Sequence, residues 1–225
     1  MIKARPPAQP RNPAQAQLRL EWPPVSAEPA NAMSANVQRA FVLSLLVLLM
    51  AGTRINHFAP IPDASWAVFF IGGFYLRGWT RWAFPLLMAL AVVIDWAVIS
   101  SQGMDFWGHY CVSSGYWALV PAYFAMWAGG MLLRRGYTGA SWRALGLLAA
   151  TLVGAVVVCH LFAQGGFYWT SSVVAEPTVA GWFKNYTDWL LPYMRTAAIY
   201  TGVAALAQVA MEAFGRQSAS SRIAH

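Results

Sequence analysis

The 225-residue chain predicts an all-α integral membrane protein with six transmembrane helices. Three observations carry this: 58% of residues are apolar, only 10% are charged, and the mean hydropathy is +0.46. Soluble domains carry about 25% charged residues. The formal charge of +7 is an excess of Lys and Arg on a hydrophobic chain, which marks membrane-flanking loops and gives no reason to expect nucleic acid.

Residues 1–35 hold seven of the 13 prolines and read as a disordered Pro/Ala-rich cytoplasmic tail. Met33, just before the first apolar segment, offers a second candidate start beside Met1. No signal-peptide pattern is expected, because Ala-Gly-Thr-Arg after Met50 is no small-x-small cleavage site. The six-helix membrane domain is expected over 36–214, with a flexible C-terminal tail over 215–225.

The first span is expected at Asn36 to Thr53, with Arg39 and Arg54 snorkelling at its ends. The second, Ala64 to Leu76, is short of the ~20 residues a crossing needs. Trp82 to Ser101 forms the third and contains Asp95; Ser113 to Leu133 forms the fourth. Trp142 to Gln164 and Trp189 to Phe214 complete the set, the last containing Arg195. With both termini cytoplasmic, 12 of the 15 basic residues fall inside and only Arg54 and Lys184 outside, as the positive-inside rule requires. The outer loops are then Arg54 to Asp63, Gln102 to Val112 and Gly165 to Asp188. They collect His57, Asp105, Trp107, His109, Tyr110, Trp182 and Tyr186, which read either as interfacial aromatic belts or as an external binding site.

Asp95 sits among apolar neighbours, where an acid costs at least ~2.5 kcal/mol. Arg195 is its expected counter-charge, as a structural ion pair, as part of a ligand site, or as both. Cys159 in GAVVVCHLF reads as core, and His160 as a satisfied helix histidine. Cys111 in DFWGHYCVSSGYW stands at an external mouth, where a thiol either packs, acts as a nucleophile, or ligates a soft or borderline metal. His109 and Cys111 lack the spacings of a structural zinc site, so a single protein ligand suits a metal already held by a macrocycle. The small-residue row Gly146, Ala150 and Gly154 is expected to serve close helix packing, within the chain first and otherwise against a partner. No nucleotide loop, H-E-x-x-H or G-x-S-x-G occurs.

HFAPIPDASWAVFFIGGFYLRGW, FPLLMALAVVIDWAV, FWGHYCVSSGYWALVPAY and HLFAQGGFYWTSS with GWFKNYTDWLLPYMRTAAIYTG together resemble the BtuM family of cobalamin transporters, related to the substrate-binding S components of energy-coupling-factor (ECF) transporters. The likeness covers about Ala35 to Phe214. It implies an S-component-like bundle in the bacterial cytoplasmic (inner) membrane, with an outward-facing cavity for cobalamin. It makes Cys111 the axial ligand to cobalt and the candidate for removing a cyano ligand, so transport or binding is the primary expectation and decyanation an accompanying one. His57, Asp95, His109, Tyr116 and Arg195 are expected around the vitamin. Energy would come from an ECF module of ATPases and scaffold, or no such partner is needed. Two other readings stand beside this one: a membrane-embedded thiol enzyme using Cys111 and His109, and a haem-binding membrane protein using Cys111, His109 or His160.

Overall fold

A computed structural model describes residues 34–55, 62–112 and 114–223. The expected tail before Ser34 and the expected ligand contact His57 lie outside these residues. Among the described residues every regular element is helical. The helices are α1 (Ala35–Arg54), α2 (Ser65–Tyr75), α3 (Thr80–Ser101), α4 (Leu119–Gly136), α5 (Trp142–Thr170) and α6 (Val179–Ile223). Short 3-10 turns, Arg77–Trp79 and Ser114–Ala118, lead into α3 and α4.

Five of these helices are long and apolar enough to cross a membrane. With 11 residues, α2 spans only about 16 Å at 1.5 Å per residue. Its sequence SWAVFFIGGFY is apolar on every side, which suits burial within protein. Accordingly, all of it except Tyr75 is buried. Around it pack Leu46 and Met50 of α1, Leu87 of α3, Met126 and Trp127 of α4, and Val156 and Cys159 of α5, giving one continuous core.

Two glycines let α2 and α4 touch backbone to backbone. A Cβ on Gly73 would collide with the carbonyl of Trp127, and one on Gly130 with the carbonyl of Phe70. Close approach of this kind maximises dispersion contact where lipid removes the hydrophobic drive between helices. The expected packing row does not do this: Gly146, Ala150 and Gly154 are exposed, and a Cβ on Gly146 or Gly154 would meet nothing within 4 Å. That expectation rested on spacing alone, and spacing does not say which face of a helix turns inward.

The other boundaries also shift. The helical stretch of α5 runs to Thr170 and α6 begins at Val179, so the expected third outer loop contracts to residues 171–178. Aromatic and polar residues such as Trp182, Lys184 and Tyr186 therefore stand on a helix, where Lys184 pairs with Asp188 at 2.6 Å with i, i+4 spacing. At its other end α6 continues to Ile223, past the expected Phe214.

Candidate functional site

The end of the bundle where α1 and α3 finish and α2 and α4 begin carries a cluster of charged and hydroxyl side chains. Arg54, the last residue of α1, is its hub and is only 5% exposed. Its Nε donates to Asp95 Oδ1 and its Nη2 to Asp95 Oδ2, both at 2.7 Å. Nη1 donates to Asp63 Oδ2 at 3.0 Å, Ser65 Oγ at 3.0 Å and the Tyr123 hydroxyl at 3.1 Å. The planar fork of a guanidinium suits this task, because it meets one carboxylate at two points and still has N–H groups for others.

Each partner is itself held. Asp63 Oδ1 accepts from the Ser65 backbone N–H at 2.9 Å and from Ser65 Oγ at 2.7 Å, the local turn that starts α2. The Tyr116 hydroxyl, from the turn before α4, donates to Asp95 Oδ2 at 2.7 Å. Thr53 Oγ1 accepts from the Ala64 N–H at 3.1 Å, tying the end of α1 to the start of α2. Asp95 and Asp63 keep 14% and 25% exposure, so the cluster is reachable on its carboxylate side.

The structure thus corrects the expected Asp95–Arg195 pair. Asp95 is paired with Arg54, whereas Arg195 is exposed on α6 and forms no ion pair among the described residues. Arg54 was expected to snorkel to the interface, but two carboxylates and two hydroxyls within reach satisfy it inside. Sequence reading named Asp95 and Tyr116 among the residues around a ligand without pairing them, and overlooked Arg54, Ser65 and Tyr123 as members of the cluster. The available signal was an arginine directly ending an apolar run, followed nine residues later by an acid.

Cys111 lies in the 102–112 loop, which follows α3, and is exposed. The loop is anchored on α5: Ser171 Oγ donates to the Tyr110 carbonyl at 3.2 Å and the Gly115 N–H donates to Thr170 Oγ1 at 2.9 Å. Gly115 is required there, since a Cβ would strike the carbonyl of Gly166. The His109 ring stacks obliquely on Tyr110 at 4.4 Å, and its Nδ1 accepts the Cys111 backbone N–H at 3.3 Å. Desolvation by the folded loop pushes the Cys111 thiol above the ordinary range; a hydrogen bond from the Tyr110 hydroxyl opposes this, and the charge of Asp95 adds to it.

Cys159 is fully buried, as expected of core. His160 beside it is half satisfied: its Nε2 is hydrogen bonded with the Tyr186 carbonyl at 2.9 Å, while Nδ1 has no partner among the described residues. Its ring is enclosed by Trp66, Tyr186 and Tyr193, and Trp66 stacks on Tyr193 at 4.6 Å. No group of three or more His, Cys, Asp or Glu able to hold a metal ion occurs among the described residues.

An apolar groove of about 130 Å³ opens at the other end of the bundle, between Phe74, Tyr75, Tyr137, Leu145, Thr201 and Gln208. Its rim is polar: the Tyr75 hydroxyl donates to Gln208 Oε1 at 2.7 Å, and Glu212 accepts from Tyr137 at 2.6 Å and Gln208 at 2.8 Å.

No protein-family model matches the chain, and no curated protein is similar to it in sequence.

Proposed function

We propose that the chain binds cobalamin at the outer face of a bacterial cytoplasmic membrane and mediates its uptake, with Cys111 as axial ligand to cobalt. The observation that carries this reading is the exposed thiol of Cys111 together with the partly buried Arg54–Asp95–Tyr116 cluster, in a fold where no group of three or more His, Cys, Asp or Glu able to hold a bare metal ion occurs among the described residues. One thiolate is enough for a metal whose other positions a corrin ring fills. Coordination itself removes the thiol proton, so a raised thiol pKa does not prevent it. With cyanocobalamin the exchange balances as follows: the cobalt–cyanide bond breaks, the cobalt–sulfur bond forms, and the thiol proton leaves with cyanide as HCN.

The proposed topology is six crossings in an S-component-like bundle with both termini cytoplasmic. The short α2 supports it by its two ends, since Ser65 bonds to Arg54 in the Cys111 half and Tyr75 bonds to Gln208 near the α4–α5 turn. That turn is flanked by Arg134, Arg135 and Arg143, the basic set expected inside. An ECF energising module, or entry without one, completes the proposal; lipid is the remaining neighbour.

The other readings fit less well. A thiol enzyme needs an activated nucleophile, normally through a lowered pKa or a base at hydrogen-bond distance from sulfur. Here the thiol is raised, and His109 Nδ1 is engaged with a backbone N–H. Haem ligation by His160 would require opening a fully buried ring, enclosed by Trp66, Tyr186 and Tyr193.

The test is the absorbance spectrum of detergent-purified protein expressed with cyanocobalamin, wild type beside Cys111→Ser. A co-purifying corrin spectrum, shifted from that of the free vitamin and unshifted in the variant, supports thiolate ligation. Absence of corrin from both folded proteins overturns the reading.

A further inference from the structure

Among the described residues, the Arg54–Asp63–Asp95–Tyr116 cluster presents hydrogen-bond acceptors and almost no donors. Arg54 spends its Nε–H, an Nη2–H and its Nη1 group on Asp95, Asp63, Ser65 and Tyr123, and at 5% exposure offers nothing outward. The Ser65 hydroxyl donates to Asp63, and the Tyr116 hydroxyl donates to Asp95. Tyr123, which accepts from Arg54, is itself buried. What remains for a ligand are lone pairs on the partly exposed oxygens of Asp63 and Asp95 and on the Tyr116 oxygen. One guanidinium also faces two carboxylates, leaving a single negative charge uncompensated within the cluster.

We infer that this cluster selects the peripheral groups of the substrate, taking corrinoids whose side chains are primary amides and rejecting those carrying carboxylates in the same place. This rests on the cobalamin reading above and names the substrate class for that site. A primary amide brings two N–H donors to the waiting acceptors. A carboxylate brings none, and adds like charge in a partly desolvated setting, so the discrimination comes from repulsion as much as from attraction. Arg54 acts here as a positioning residue: by meeting Asp95 at two points it turns that carboxylate and, through it, Tyr116.

The experiment is a spectral titration of detergent-purified wild type at about pH 7.5, where a carboxylic acid is ionised. The ligands are cyanocobalamin and its separated monocarboxylic acids, made by mild hydrolysis of the peripheral propionamides, together with the N-methylamide of each acid. At least one acid is expected to bind about tenfold or more weakly than cyanocobalamin, with its N-methylamide recovering most of the loss. Asp63→Asn, which removes the uncompensated charge, is expected to narrow the gap for that acid at least about threefold. Equal binding of cyanocobalamin and every acid, within about twofold, overturns the inference while leaving cobalamin binding intact. Failure of every corrinoid to bind overturns the functional reading itself.

Discussion

Arg54 and Asp95 meet at two points, Nε to Oδ1 and Nη2 to Oδ2, each 2.7 Å, although 41 positions separate them in the chain. This pair joins the end of α1 to the last third of α3, and Asp63, Ser65, Tyr116 and Tyr123 extend it to the starts of α2 and α4. One residue thereby ties together the segments that frame the Cys111 loop.

Breaking the pair from one side leaves a charge in a poorly solvated place. Arg54→Gln is expected to lower stability by about 3–5 kcal/mol. The double variant Arg54→Gln with Asp95→Asn is expected to recover a substantial part of that loss, because it leaves no unpaired charge at position 95. Thermal unfolding of detergent-solubilised single and double variants checks this as a mutant cycle. Equal stability of the double and the single variant would show that the pair is not the coupling unit.

The α2–α4 contact predicts a sharp contrast between glycines. Gly130→Val puts side-chain atoms into the Phe70 carbonyl and is expected to abolish the monodisperse peak in size-exclusion chromatography. Gly154→Ala, on an open face, is expected to leave the peak and the melting temperature unchanged. If both variants behave alike, the crossing is misassigned.

Thiol labelling separates the two cysteines. A bulky maleimide is expected to modify Cys111, which is exposed, and to spare Cys159 until the protein is denatured. Because the Cys111 thiol is held above the ordinary range, the thiolate fraction at neutral pH is small, and the alkylation rate is expected to keep rising up to about pH 9 without a plateau. A plateau below about pH 8 would mean an activated thiol and would favour the enzyme reading.

Orientation has its own test. In intact cells, a membrane-impermeant maleimide is expected to label Cys111 from outside, while a Ser141→Cys reporter in a Cys111→Ser background is labelled only after permeabilisation. The reverse pattern would invert the topology drawn from the basic residues.

Much of this architecture follows from local composition. The helical spans were legible because a bilayer leaves backbone groups no partner but the helix itself, so a long apolar run with few charges has one solution. Cys111 as the exposed thiol and Cys159 as core were readable from their flanks, DFWGHY on one side and GAVVV on the other.

Pairing was decided by the tertiary structure. Asp95 announces in sequence that it needs a counter-charge, yet nothing local distinguishes Arg54 from Arg195 as the donor; that choice depends on which helix ends converge. Small-residue spacing behaves the same way: Gly146, Ala150 and Gly154 look like a packing row, while the collisions that require glycine occur at Gly73 and Gly130. Burial and hydrogen-bond partnership are properties of the faces that helices turn toward one another, and a helical repeat defines those faces without saying which neighbour each will meet.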